Sequence, residues 1–275
     1  MNAPLFSIVI PSYNRAHLIL RALESAYRQG CQDNFEVIVV DDGSTDHTRE
    51  ILQSYIERGV RYFRHDANLG VGPARNRGTR EACGEWIIFL DTDNVLLPHA
   101  LHCFQAVLQQ DMPDIGVYYA RCCDFQGANI SGTEHAGRYN YHQYLLHPMK
   151  EYLPLFRREI LLQFPFRETP GVRRECGGFT VLKILKSGWD FYYIPEIVLQ
   201  YDSHSAGRLS HRGYILRNAR EMLDCNRCII HHFGADILRI NRKYYLQLLQ
   251  KTVLYCILCG QLRMAGHYMR KSILL

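Results

Sequence analysis

No uninterrupted apolar stretch of this 275-residue chain is long enough to cross a bilayer. Its first residues also lack the charged segment and long apolar run of a secretory leader; Phe6-Ser7-Ile8-Val9-Ile10 reads as a strand instead. Both absences lead us to expect a cytoplasmic protein, at most peripheral to a membrane. Low-complexity linkers and internal repeats are missing, which excludes solenoid and disordered architectures. Charge of one sign is also in short supply. With 32 Lys and Arg against 27 Asp and Glu, the formal charge of +5 selects no partner class. What remains, 47% hydrophobic and 21% charged residues, is the composition of a soluble globular protein with a sizeable core, arranged as one large domain or two small ones.

Cysteine is not scarce. Ten cysteines in a chain without a leader pattern are expected as reduced thiols. Cys225-x-x-Cys228 and Cys256-x-x-Cys259, with His231 and His232 nearby, raise the question of zinc. The gap between the pairs exceeds ribbon spacing, and no turn-forming glycine flanks the first. Cys256 and Cys259 sit in the apolar run Val253–Cys259, where small buried side chains are the better reading.

The first third alternates strand and helix patterns: strand Phe6–Ile10, helix Ala16–Gln29, strand Phe35–Val40, helix Asp46–Ile56 with Thr45 or Asp46 as N-cap, strand Val60–Arg64, helix Arg75–Ala82, strand Trp86–Leu90. Repeated βα units of this length imply a parallel, doubly wound sheet with right-handed crossovers. Beyond Pro98 the rhythm weakens. We expect a helix Pro98–Gln109, a strand near Gly116–Cys122, a loop-like stretch Phe125–His147, a short helix Glu159–Phe164, a helix Gly178–Lys186 and a strand Phe191–Pro195. Helical patterns around Arg217–Cys228, Tyr244–Leu258 and Gln261–Ser272 close the chain.

The most informative run is Ile87-Ile88-Phe89-Leu90-Asp91-Thr92-Asp93-Asn94. Four apolar residues read as a strand covered on both faces, and such strands deliver ligand chemistry at their carboxyl ends. Two aspartates there can offer hard oxygen ligands to Mg²⁺ or Mn²⁺. After the first strand, Pro11-Ser12-Tyr13-Asn14-Arg15 ends the ladder with a flat aromatic face and a cation, or is an ordinary β–α turn. After the second, Asp41-Asp42-Gly43-Ser44-Thr45-Asp46 carries carboxylates able to accept from a base imide or a ribose hydroxyl, or caps a turn. A turn needs one such acid and this one has two, which favours a ligand role. Asn68-Leu69-Gly70-Val71-Gly72-Pro73-Ala74-Arg75-Asn76-Arg77-Gly78 fails the dinucleotide pattern, because Arg75 stands at the third glycine position. It is better suited to hold an anion or a base edge through Arg75 and Arg77.

These four segments, in this order and spacing, resemble family-2 glycosyltransferases of the GT-A fold over roughly residues 5–210. The resemblance implies an α/β fold, a Rossmann-like mostly parallel doubly wound sheet with an acceptor-side subregion and a C-terminal helical extension. It implies residues 1–120 as the nucleotide-sugar half, 121–213 as the acceptor half of the same domain, and 214–275 as the helical extension. It implies an inverting transfer of a hexose or N-acetylhexosamine from a UDP-sugar to a saccharide or lipid-linked saccharide, with Mn²⁺ or Mg²⁺, and no nucleic-acid partner. Surface polysaccharide assembly would be the setting. Carried over by position, Pro11, Tyr13, Arg15, Asp41, Asp42, Arg75 and Asp91 would line the nucleotide, with Tyr13 stacked on the base and Asp42 on its imide. Asp93 would be the direct metal ligand. In the loop Tyr201–Ser210, His204 would meet the metal or diphosphate and Arg208 the phosphates.

The general base is where the chain departs from the family pattern. An acidic pair is usual there, and Arg173-Arg174-Glu175-Cys176-Gly177-Gly178-Phe179 holds one acid. Glu175 is the expected base, Glu168 the reserve, and Asp190 a structural turn residue; His211 is a weaker candidate than His204. An inactive sugar-nucleotide-binding scaffold is therefore a rival reading. A sugar nucleotidyltransferase is another, although Pro11-Ser12-Tyr13 replaces its glycine-rich phosphate loop. The C-terminal segments carry Arg and Lys among Leu, Ile and Tyr, which suits an anionic bilayer or a helical cap with a solvated basic face.

Overall fold

The computed structural model describes residues 3–30, 34–132, 135–147, 151–173, 177–202 and 218–274. Its centre is one sheet in the order β3-β2-β1-β4-β8-β6-β9-β5, with β7 paired to β9. Strands β1 (Phe6–Ser12), β2 (Phe35–Asp41), β3 (Arg61–Arg64) and β4 (Trp86–Phe89) are parallel and alternate with helices α1 (Ala16–Tyr27), α2 (Thr48–Glu57) and α3 (Val71–Glu81). The period-2 geometry of strands explains the apolar runs of β1, β2 and β4, whereas β3, at the sheet edge, is Arg-Tyr-Phe-Arg and only half-buried. Phe6, Ile8, Ile10, Val37, Val39, Ile88 and Leu90 enter one core, while Val9, Ile38, Val40, Ile87 and Phe89 enter the core on the opposite face. A strand covered on both faces cannot alternate apolar with polar, and these do not.

Beyond β4 come β5 (Val95–Leu96), α4 (Ala100–Leu108), β6 (Ile115–Cys123), β7 (Gly137–Tyr139), α5 (Tyr141–Leu146), β8 (Tyr152–Arg157), α6 (Arg158–Gln163), α7 (Gly177–Lys186) and β9 (Asp190–Gln200). Here the structure corrects one reading and adds an element that the sequence reading did not assign. The stretch expected to be loop-like contains β7 and α5, the latter started by a capping box in which Asn140 and Gln143 exchange bonds. Tyr152–Arg157, given no element by the sequence reading, is the strand β8, which lies antiparallel between β4 and β6 and joins both halves into one sheet. β6 itself runs to Cys123, and β5 pairs with the end of β9.

The chain ends in α8 (Ala219–Ile240), α9 (Arg242–Leu258) and α10 (Leu262–Ile273). α8 runs further than the sequence reading, because Ile229, Phe233 and Ile237 continue its buried stripe at helical spacing. That stripe packs with Tyr245, Leu248 and Leu249 of α9 against Leu145, Phe179 and Leu182 of α5 and α7. Asn241 caps α9 at Tyr244 N and donates to the carbonyls of Leu145 and Leu146, fixing the helical unit to the sheet layer. Cys225 and Cys256 are buried beside Leu223 and Tyr255, packed as small apolar groups.

Candidate active site

β1 lies between β2 and β4, and the chain leaves it in opposite directions across the sheet, so a crevice opens where the strand order reverses. Three loops leave the carboxyl ends of β1, β2 and β4 at this point. The first two are laced together. Asn14 takes the left-handed conformation, φ +51°, which its short amide side chain tolerates. Its N–H donates to Ser44 Oγ at 2.9 Å, and its Oδ1 accepts from Thr45 N at 2.8 Å. Asp46 Oδ2 in turn accepts from Ala16 N at 3.1 Å, satisfying a donor at the start of α1 from the neighbouring loop. Tyr13, in the first of these loops, is 37% exposed.

Asp41 is fully buried. It accepts from Ser44 N at 2.8 Å and from the Tyr62 hydroxyl at 2.5 Å, while Arg64 Nε lies 3.9 Å away. Burial, and then the bond to this carboxylate, pushes the Tyr62 hydroxyl well above its ordinary pKa. Asp42 is also buried, and it holds the loop after β3. Leu69 N donates to Oδ1 at 3.0 Å and Gly70 N to Oδ2 at 2.7 Å, with His65 Nδ1 2.8 Å from Oδ1. A carboxylate has about four lone-pair positions, so one further donor can be received there. Two glycines permit this closeness. A Cβ on Gly43 (φ +76°) would meet Ala67 at 2.6 Å, and one on Gly70 (φ +107°) would meet the Arg173 backbone at 2.7 Å.

The third loop holds Asp91-Thr92-Asp93-Asn94. Thr92 and Asn94 are buried, whereas the Asp91 side chain is 44% exposed and Asp93 is half-buried. Asn94 fixes the turn: its N–H donates to Asp91 O at 3.0 Å, and its Oδ1 accepts from Asp202 N at 3.2 Å. Arg21 of α1 donates to Asp93 O at 2.7 Å and pairs with Asp202 at 3.2 Å. The turn is thereby braced against the end of β9. Arg75 of α3 pairs with Asp91 Oδ1 at 3.1 Å, its guanidinium lying over Phe89 and Phe166. Arg77, two residues on, faces elsewhere, pairing with Glu81 at 2.8 Å and lying over Phe63.

The structure thus brings Tyr13, Asp41, Asp42, Asp91 and Asp93 to the carboxyl ends of β1, β2 and β4, with Arg75 reaching Asp91 from α3, Pro11 at the end of β1 and Arg15 just before α1. Glu175, His204, Arg208 and His211 lie outside the described residues. Glu168 is exposed and accepts from Asn76 Nδ2 at 2.7 Å; Asn76 also exchanges bonds with the Phe166 backbone, holding that loop against α3. Asp190 pairs with Arg138 at 2.5 Å, a link between β9 and β7. Sequence reasoning passed over Asn14, Arg21, His65, Asn76 and Asn94. Asn14 and Asn94 sit inside the motifs and were open to notice as turn residues; the partners of Arg21, His65 and Asn76 are distant in sequence and gave no signal.

Asp91 and Asp93 are oxygen donors with no softer ligand beside them in their turn, a donor type that suits Mn²⁺ or Mg²⁺ and not a thiophilic metal. Among the described residues no group of three His, Cys, Asp or Glu forms a complete metal cage. A metal here would draw further ligands from a substrate's phosphates and water, as Mg²⁺ sites commonly do, or from residues outside the described ones.

Comparison with known proteins agrees with this geometry. Validoxylamine A glucosyltransferase of Streptomyces hygroscopicus subsp. jinggangensis is 47% identical over 94 residues, covering 33% of this chain and 22% of that protein. A PGL/p-HBAD biosynthesis glycosyltransferase of Mycobacterium bovis is 44% identical over 98 residues, covering 35% and 38%. The chain therefore matches well under half the length of these curated relatives. In fold, it superposes on S. aureus TarS 1-349 in complex with UDP with a TM-score of 0.67 at 16% identity, over 98% of this chain and 88% of that one. The mannosyltransferase of Pyrobaculum calidifontis, in complex with GDP-Man and Mn²⁺, gives 0.65 at 19% identity over 99% and 80%. The fold is GT-A. Residues 7–173, more than half of the chain, match the description Glycosyl transferase family 2, and the chain belongs to that family.

Proposed function

We propose that this glycosyltransferase moves a hexose or N-acetylhexosamine from a UDP-sugar to a hydroxyl of a saccharide or lipid-linked saccharide, with inversion, in surface polysaccharide assembly. The observation that carries the reading is the pair of accessible carboxylates, Asp91 and Asp93, on a braced turn beside the rim formed by Tyr13 and Asp42. Tyr13 offers a face for the base, and Asp42 keeps one acceptor position for the base's imide N–H. Asp91, already paired with Arg75, faces the ribose, while Arg75 and Arg15 supply positive charge to the nucleotide. UDP and UDP-GlcNAc in the TarS complexes support a uridine donor, and GDP-Man in the archaeal mannosyltransferase marks the alternative.

Asp93 would hold Mn²⁺ or Mg²⁺ with His204, and the ion would supply charge neutralisation of the departing diphosphate. Glu175 takes the proton from the acceptor hydroxyl as its oxygen attacks the anomeric carbon. The bond from that carbon to the phosphate oxygen breaks in the same displacement, and UDP leaves without a covalent sugar–enzyme intermediate. Arg208 meets the phosphates.

The test is UDP release from a panel of UDP- and GDP-sugars with Mn²⁺, for the parent and Asp93→Ala. We expect one UDP-sugar to be turned over and the variant to lose activity at least about 100-fold, the scale of several kcal/mol of transition-state stabilisation. Turnover restricted to a GDP-sugar would overturn the donor assignment. UDP binding without turnover, across a panel of saccharide acceptors, would favour the inactive scaffold that the single acid at Glu175 suggests.

A further inference from the structure

All 27 acidic residues of the chain precede residue 237, together with 25 of its Lys and Arg; the 39 residues from Ile237 onward carry seven Lys or Arg and no Asp or Glu. The structure gives this asymmetry a shape. α10 buries Ala265, with half-buried Tyr268, toward α8 and α9. Leu262, Met269 and Ile273, spaced i, i+7 and i+11, share another face and are 68%, 47% and 75% exposed. Arg263 and Arg270 each follow a residue of that stripe by one position, about 100° around the helix, and both are exposed. Just before the turn into α10, α9 exposes Leu254, Ile257 and Leu258, with Lys251 exposed one turn earlier.

Isolated exposed leucines need no explanation, but an apolar stripe bordered by arginines in an acid-free segment does. We propose that α10 and the α9–α10 turn lie on an anionic bilayer, the stripe entering the acyl boundary and the arginines meeting the headgroups. Charge complementarity selects this occupant. A second copy of the same face would oppose Lys251, Arg263 and Arg270 with the same three cations, whereas an anionic bilayer offers both negative charge and an apolar interior. The inference does not depend on the donor or on catalysis, because binding is read without either.

The experiment is flotation of the whole chain with vesicles of phosphatidylcholine alone and of phosphatidylcholine and phosphatidylglycerol in equal parts. We expect binding to the anionic vesicles, little to the neutral ones, and release by salt. Met269→Gln with Ile273→Gln and, separately, Arg263→Gln with Arg270→Gln should each reduce the bound fraction about tenfold or more while leaving helix content unchanged. Equal binding to both vesicle types, no binding to either, or a concentration-dependent dimer dispersed by the Met269/Ile273 variant would each overturn the proposal; the last would give the face to a second copy.

Discussion

The acid pairs after β2 and β4 flank β1 on its two sides, yet the fold uses them differently. Asp41 and Asp42 are buried, and their oxygens accept from Ser44, Tyr62, Leu69 and Gly70, with His65 in contact. Asp91 and Asp93 are partly accessible; their turn is held by the side chains of Asn94 and Arg21, and the Asp91 carboxylate pairs with Arg75. The same residue type at equivalent strand ends is therefore buried among local donors in one case and left partly open to solvent in the other. What decides the difference is whether the local donors are met by the aspartate itself or by a neighbour.

This contrast predicts opposite balances of stability and activity. Asp41→Ala would leave Ser44 N–H and the Tyr62 hydroxyl buried without their acceptor, at a cost of about 3 kcal/mol, or roughly 6–10 °C in Tm. Asp93→Ala should cost about 1 kcal/mol or less, since a half-buried side chain is removed and the Arg21 bond goes to the backbone. Thermal unfolding of the two variants checks this. Equal Tm losses would break the comparison.

A smaller effect sharpens it within the first pair. If His65 positions Asp42, its removal should act on nucleotide binding more than on folding. His65→Ala is expected to weaken UDP affinity by roughly tenfold, the scale of one hydrogen bond to a charged group, with kcat less changed. His65→Asn, which keeps a donor near the Nδ1 position, should restore most of it. Titration calorimetry with UDP reads both. Failure of the Asn variant to recover binding would show that ring packing, not the bond to Asp42, is what matters.

The parallel part of the fold was legible because its signals are local. Apolar runs ending in Pro11, Asp41 and Asp91 mark strands, and the helices between them carry their own periodicity. β8 was missed because Pro154 in mid-segment argues against a central strand, and because its identity depends on β4 and β6, which supply both edges. β7 is three residues long and exists by pairing with β9. The candidate site divides the same way. Its acids announce themselves at strand ends, but Arg21 and Asp202 are 181 residues apart, and Asn76 and Glu168 are 92 apart. No spacing rule reaches across such distances; only the sheet order brings them together.

The smallest predicted effect concerns the lace between the first two loops. Burial pushes the Asp46 carboxyl up, but bonds from the Thr48 hydroxyl and the Ala16 and Thr48 N–H groups outweigh it and hold its pKa below the ordinary range. A carboxyl lowered by folding stabilises the native state fully above its unfolded value, roughly pH 4, and that contribution is lost as pH falls through the lower folded value. The group is only lightly buried, so solvent screening keeps the effect to about 1 kcal/mol or less. Asp46→Asn should therefore lower Tm by about 2–4 °C at neutral pH, and the difference should shrink as the pH falls from about 4 toward 2. A difference that stays constant across this range would mean that the carboxyl's charge contributes nothing. The two loops would then be held by Asn14 and Ser44 alone, and the wall of the site would owe its shape to neutral hydrogen bonds rather than to a third aspartate.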